Sequence, residues 1–199
     1  MRVVTYGFGM RSEMRRLGAA AAVVAAVLCL GACAPEDPGP KPSPDPTSTP
    51  LFASDEEALA AAEEAYGRYQ AVEAQIFIEG GANGDRIDEV AVRDALLAAR
   101  EGFADYQTNG FRNVGATEFD VLELQHYSPS PDLTEDVVGL YICLDFSNQD
   151  VVNEENISVV RPGRLVRQAF EVSFDVSADK ERLVLSSREP WGSDEICAQ

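Results

Sequence analysis

The sequence predicts an α+β domain, with helices near its amino-terminal end and an antiparallel sheet after them. Between Ser54 and Gly110 apolar residues recur at steps of three and four; after Gly110 they alternate at two. Helical segments first and strand segments later indicate a sheet with its helices gathered on one face. Residues 51–199, 149 in all, hold no internal repeat and suit a single domain that buries roughly 68–70% of its unfolded surface.

The first helix begins at Ser54-Asp55-Glu56-Glu57, a capping box in which the Ser54 hydroxyl accepts the Glu57 amide and the Glu57 side chain reaches back. Leu59, Ala62, Tyr66, Tyr69, Val72 and Ile76 form its apolar stripe, and Glu64 with Arg68 makes an i,i+4 pair on the wet side. Gly80-Gly81 ends it and Asn83-Gly84 turns the chain. Asp88 is the expected cap of a second helix, whose buried stripe is Val92, Leu96, Ala99, Phe103 and Tyr106 and whose stop is Gly110.

Residues 117–127 read as a strand with mixed faces. Val138, Leu140, Ile142, Leu144 and Phe146 alternate with Gly139, Tyr141, Cys143 and Asp145. Phe170, Val172, Phe174 and Val176 alternate with Glu171, Ser173 and Asp175, the pattern of a half-buried strand. Residues 177–180 turn into a last strand around Leu183 and Leu185; residues 149–160 are a loop or a short hairpin about Glu154-Glu155-Asn156. The whole reads as a meander.

Upstream, residues 34–50 contain seven prolines in 17 positions. Proline supplies no amide to a helix or ladder. The stretch is expected to run as semi-rigid polyproline II, a stalk of roughly 50 Å at about 3.1 Å per residue. Before it, Arg15-Arg16, an apolar run over residues 17–30 and Gly31-Ala32 have the order of a secretory signal. The run is shorter than the roughly 20 residues that span a bilayer. Leu30-Gly31-Ala32-Cys33 resembles the lipobox of a bacterial lipoprotein. That resemblance implies cleavage before Cys33, acylation of its thiol by fatty acids such as palmitate, and a lipid anchor on the outer face of the cytoplasmic membrane. Initiation at Met14 would give a signal of ordinary length. The expected divisions are 1–32 signal peptide, 33–50 lipidated cysteine and linker, and 51–199 domain.

If Cys29 leaves with the signal and Cys33 carries lipid, Cys143 and Cys197 remain, and in an oxidising compartment they are expected to pair. The loop of roughly 55 residues that such a bond closes is worth on the order of 4 kcal/mol in the chain-entropy model. Neither cysteine lies in a C-x-x-C, and His126 is the only histidine, which disfavours redox and zinc chemistry. Residues 1–32 hold four arginines and one glutamate, so the rest of the chain carries 12 basic and 33 acidic residues, a formal charge of −21. Such a surface repels nucleic acid and keeps a tethered domain off an anionic bilayer.

Two amino-terminal helices, long antiparallel strands and a terminal Glu189-Pro190-Trp191 together resemble uncharacterised actinobacterial lipoproteins. More loosely, the layout is similar to the NTF2-like fold, a curved sheet wrapped on helices as a cone. This likeness spans residues 55–191 and includes Tyr141-Ile142-Cys143-Leu144-Asp145. It implies a bridge that pins the tail at Cys197, and a pocket between helices and sheet. The candidates to line that pocket are Tyr66, Tyr69, Tyr106, His126, Tyr141 and Asp145, with Trp191 at the open end of the cone. No cofactor and no metal is expected: the oxygen-rich run from Asp145 to Asn156 lacks calcium-loop spacing.

Nucleophile–base pairs and metal clusters do not emerge from the sequence. The expectation is a membrane-anchored, non-catalytic binding or interaction module of the cell envelope, with an envelope protein or a small ligand as partner. An enzyme or ligand binder using the pocket, and a plain spacer, are the alternatives.

Overall fold

The computed structural model describes residues 50–129, 136–192 and 194–197. The expected signal segment, Cys33 and nearly all of the linker lie outside these residues.

Helix α1 (Asp55–Ile78) starts as its capping residues dictate. The Ser54 hydroxyl accepts the Glu57 amide at 3.3 Å, and the Glu57 carboxylate takes the Ala53 amide at 2.8 Å. Asp55, Glu56 and Glu57 fill the first turn, where the helix dipole favours anions. Ala58, Ala62, Ala65, Tyr66, Tyr69 and Ile76 are buried along one face. Past Glu79 the Gly81 amide reaches back to the Ile76 carbonyl at 2.8 Å. Gly81 has φ +84°, and a Cβ there would stand 2.2 Å from the Phe103 carbonyl oxygen. Glycine alone fits this crossing.

A 3₁₀ turn (Gly84–Glu89) follows, and then Ala91 bridges Leu185 on the sheet edge in parallel. The Val92 amide donates to the Leu185 carbonyl at 2.8 Å, and the Leu185 amide to the Val90 carbonyl at 3.0 Å. This attachment delays helix α2 (Arg93–Asn109), so Asp88 does not cap it; the Asp88 carboxylate instead accepts from Arg100. Val92 supplies no side-chain cap. Arg93 sits in the left-handed region at φ +48° and pairs with Asp175 at 2.8 Å. Ala95, Ala99 and Phe103 are buried, Leu96 and Tyr106 half-buried, and Gly110 at φ +64° ends the helix.

Six strands follow: β1 (Arg112–Gly115), β2 (Glu118–Tyr127), β3 (Val138–Asp145), β4 (Gln149–Val152), β5 (Arg167–Val176) and β6 (Leu183–Pro190). Four of them pair antiparallel in the order β2-β3-β5-β6, while β1 and β4 form a separate two-stranded sheet. The expected meander is thus interrupted by a long-range pair. The short β1, with Gly115 at its end, carries too little alternation to be read from sequence. Residues 149–160 take the hairpin alternative: Val152 bridges Ser158 around Asn156, which sits at φ +62°.

The helices pack against one face of the larger sheet, an α+β arrangement. Leu140, Ile142 and Leu144 of β3 and Phe170, Val172, Phe174 and Val176 of β5 face the core at the expected two-residue step. On β2 the core residues are Phe119, Val121, Leu124 and Tyr127, at steps of two, three and three. Register shifts after Val121 and after Leu124 insert Leu122 and Gln125, and these account for its mixed faces. The Tyr127 hydroxyl then ties down the domain's start, accepting the Phe52 amide at 2.7 Å and donating to its carbonyl at 3.0 Å.

Candidate functional site

A cavity of about 180 Å³ lies between α1 and the sheet, closed at one side by β1 and β4. Phe77, Tyr106, Leu144, Phe146 and Phe170 give it apolar walls; Gln70, Glu73, Asn113 and Arg188 give it polar ones. Ile78 and Gly115 are exposed at its margin, and Tyr66 is fully buried. The space is hollow between aromatic rings rather than filled by them. Phe77 packs edge-on to Phe103 at 4.9 Å and against Tyr106 at 4.5 Å, which holds both walls.

Its electrostatics rest on one ion pair. Arg188 grips the Glu73 carboxylate with both terminal nitrogens, at 3.0 and 2.8 Å. The two side chains are 26% and 12% exposed. Such a fork-on-carboxylate geometry satisfies both ions and fixes their orientation. The Tyr69 hydroxyl adds a third arm, donating to Glu73 at 2.6 Å, and the guanidinium lies 5.3 Å from the centre of the Tyr69 ring. Burial opposes the Arg188 charge, but Glu73, with Tyr66 and Tyr69, outweighs it and holds its pKa well above the ordinary arginine value. Burial, reinforced by Glu73, raises the Tyr69 hydroxyl far above the usual phenol range.

Tyr66 differs from its neighbours. Its hydroxyl meets no hydrogen-bond partner among the described residues. Burial pushes its pKa up to about 12, with Arg188 pulling the other way, so it stays protonated at any physiological pH. Tyr106 is also pushed up to about 12 by burial, but its hydroxyl is satisfied, donating to the Asn113 side-chain oxygen at 2.8 Å. The Gln70 amide nitrogen donates to the Thr117 carbonyl at 2.8 Å.

Of the candidate pocket residues, Tyr66 and Tyr106 line the cavity and Tyr69 stands just behind it. His126, Tyr141 and Asp145 do not: they belong to the opposite face of the sheet. Tyr141 and Asp145 alternate with the inward Leu140, Ile142 and Leu144, and His126 lies exposed beside Gly139. Tyr141 stacks on Trp191 at 3.9 Å. Trp191 therefore covers the outer face instead of an open end of the cone. There Cys143, Ala169 and Cys197 form a second small cluster with Trp191 packed on it, and Cys143 is disulfide-bonded to Cys197 with Cα atoms 5.7 Å apart. Asp145 pairs with Arg167 at 2.9 Å; hydrogen bonds from Ser147, then Arg167, hold its carboxyl below the usual range. Arg167 also reaches Asp120 at 2.8 Å and donates to the Cys197 carbonyl at 2.9 Å.

The sequence reading missed Glu73, Asn113 and Arg188. Glu73 had a signal: it stands four residues after Tyr69 and seven after Tyr66, a charge inside an apolar stripe. Arg188 had none. Leu183 and Leu185 point inward, so strict alternation sends Arg188 outward. A bulge at Ser186 reverses the phase and brings Arg188 opposite Val172, on the core side. Among the described residues no three His, Cys, Asp or Glu side chains gather as a metal site, and no helix is long and apolar enough to cross a membrane.

No protein-family model matches this sequence, and no curated protein is significantly similar to it. Solved structures distantly similar to it include two of note. One is the intermembrane space region of the chloroplast protein ARC6, 14% identical, covering 67% of this chain and 96% of that one at a TM-score of 0.44. The other is an NTF2-like protein of unknown function from Exiguobacterium sp. 255-15, 10% identical, covering 65% and 99% of the two chains at a TM-score of 0.29.

Proposed function

We propose that this chain is an extracytoplasmic lipoprotein whose globular domain is a non-catalytic binding module, with the α1–sheet cavity as its binding site. The observation that carries this reading is the closed Tyr69–Glu73–Arg188 network. A general base needs a free carboxylate or imidazole within reach of a substrate proton. In this cavity the carboxylate already accepts from an arginine fork and a phenol, and the histidine lies on the far face. What remains is shape, apolar wall and hydrogen-bonding groups, the ingredients of recognition rather than turnover. The Cys143–Cys197 bond fits an oxidising compartment, and Cys33, at the end of its lipobox-like segment, supplies the anchor.

Two experiments test the two halves. Cells fed radioactive palmitate are expected to label the chain, and Cys33→Ser is expected to abolish the label and release the protein from membranes. An unlabelled wild-type chain overturns the anchor. A panel of acyl, phosphoryl and glycosyl substrates is expected to show no turnover; activity that Glu73→Gln eliminates overturns the non-catalytic reading.

A further inference from the structure

We propose that the outer face of the larger sheet carries a second binding site, a groove that takes an arginine side chain of a basic, extended peptide. The groove lies across the sheet from the α1–sheet cavity, so its test leaves the reading of that cavity untouched. Its walls, its charge and its place at the sheet edge define the occupant.

The groove measures about 460 Å³, within the range of ligand sites. Leu122, Tyr141 and Trp191 give it apolar walls; Asp120, Glu123 and Arg167 give it charge. These walls are open to solvent: Leu122 is 40% exposed and the Asp120 side chain 65%. Trp191 stacks on Tyr141, and Glu123 stands directly opposite Tyr141 in the β2–β3 register. Aromatic surface beside a carboxylate draws a cation twice, through the ring quadrupole and through Coulomb attraction. The local charge balance points the same way. Arg167 spends its terminal nitrogens on Asp120 at 2.8 Å and Asp145 at 2.9 Å. Glu123 has no hydrogen-bond or ion-pair partner among the described residues. Three carboxylates therefore answer one guanidinium, and an anion would meet repulsion. A guanidinium suits both features: it packs flat on an aromatic ring and forks onto carboxylates, whereas an ammonium is a compact and strongly hydrated point charge. The peptide follows from position. Strand β2 pairs with β3 on one side and with no strand of its sheet on the other, and Glu118, Asp120 and Glu123 are exposed along it. An extended chain beside β2 keeps its positive charge among carboxylates, which a free cation in so open a groove does not.

Fluorescence titration of the purified full chain tests this, because Trp191 is its only tryptophan and lines the groove. The probes are blocked alanine pentapeptides whose central residue is arginine, citrulline or glutamate. Citrulline keeps the shape of arginine without its charge. The arginine peptide is expected to change Trp191 emission saturably and to bind at least fivefold more tightly than the citrulline peptide, and the glutamate peptide is expected not to bind. Glu123→Gln is expected to weaken the arginine peptide about threefold, the scale of an exposed ion pair. Glu63→Gln removes the same charge from the solvent side of α1 and is expected to leave the affinity unchanged. Both side chains are exposed, so both variants fold. Equal losses in the two variants overturn the proposal, because they mean diffuse attraction to an acidic surface. Trp191 emission that ignores the arginine peptide also overturns it, as does a citrulline peptide that binds as tightly. Methylguanidinium alone is expected to bind at least tenfold more weakly than the arginine peptide; equal affinity removes the peptide as the occupant.

Discussion

At the scale of single residues, burial sets what each polar group contributes to stability. A buried hydroxyl without a partner costs about 1–3 kcal/mol, and Tyr66, whose hydroxyl makes no hydrogen bond among the described residues, carries that cost. Tyr66→Phe is therefore expected to raise the melting temperature of the free protein, by roughly 2–4 °C per kcal/mol for a domain of this size. A scanning-calorimetry decrease would show that the hydroxyl has a partner. The Glu73–Arg188 pair should behave in the opposite sense. Removing one member leaves the other ion largely buried, a loss of about 3–5 kcal/mol for fully enclosed pairs, and less here because Arg188 retains 26% exposure. Chemical denaturation is expected to show Glu73→Gln and Arg188→Gln each as destabilising, and the double variant as less destabilised than their sum. Strict additivity would show that the two residues act independently. Half of this pair was legible beforehand. Glu73 stands out as a charge on a helix face whose buried residues are Ala, Tyr and Ile, whereas Arg188 is hidden by a single extra residue on its strand.

At the scale of elements, what was legible follows from how far a local pattern persists. Helix α1 kept one face apolar but for Glu73 behind a capping box, and β5 alternated without a break. Those segments needed no tertiary information. Helix α2 began late because residues 90–92 pair with β6, a contact remote in sequence from the helix it delays. Strand β2 read as mixed because two bulges shift its phase, and β1 went unseen because four residues that pair with β4 contain no period to detect. The carboxyl-terminal tail shows the same dependence on distant partners. Its 3₁₀ turn (Asp194–Cys197) is held by the bond from Cys197 to Cys143, the Arg167 contact to the Cys197 carbonyl, and Trp191 stacked on Tyr141. A loop spanning 54 residues is worth about 4 kcal/mol in the chain-entropy model. Cys197→Ser is expected to lower stability by up to that amount and to red-shift the emission of Trp191 as its packing loosens. Unchanged fluorescence and an unchanged denaturation midpoint would show that Arg167 and the aromatic stack suffice alone.

At the scale of the whole molecule, charge decides how the domain responds to its surroundings. The chain beyond residue 32 has a formal charge of −21, and the described domain gathers most of those carboxylates. Acidification relieves that repulsion, yet several individual carboxylates pull the other way. Glu56, Glu79, Asp145 and Asp179 all have pKa values held below their ordinary range: by Ser54, by Gln75 and Arg86, by Ser147 and Arg167, and by Ser177 respectively. For these groups the unfolded chain binds protons more readily than the folded one. Their contribution is present above the usual carboxylate pKa and is lost as pH falls through the lower folded values. Asp175 has the opposite sign. Burial raises its pKa and Asp136 adds to the rise, while Arg93 only partly compensates, so its cost to the fold disappears on protonation. Lowering the pH from neutrality should thus first change stability little, or raise it, as repulsion and the Asp175 cost ease. Below the usual carboxylate range stability should fall, as the four lowered groups are forced to take protons. Melting curves from pH 7 to pH 3 are expected to show this turnover, and Asp175→Asn to flatten its upper part while leaving the acid loss in place. A steady rise in stability down to pH 3 would mean that global repulsion outweighs every local carboxylate contact described above. Added salt at neutral pH separates the contributions, because screening weakens exposed repulsion over roughly 10 Å at 0.1 M but leaves the enclosed Glu73–Arg188 pair nearly untouched.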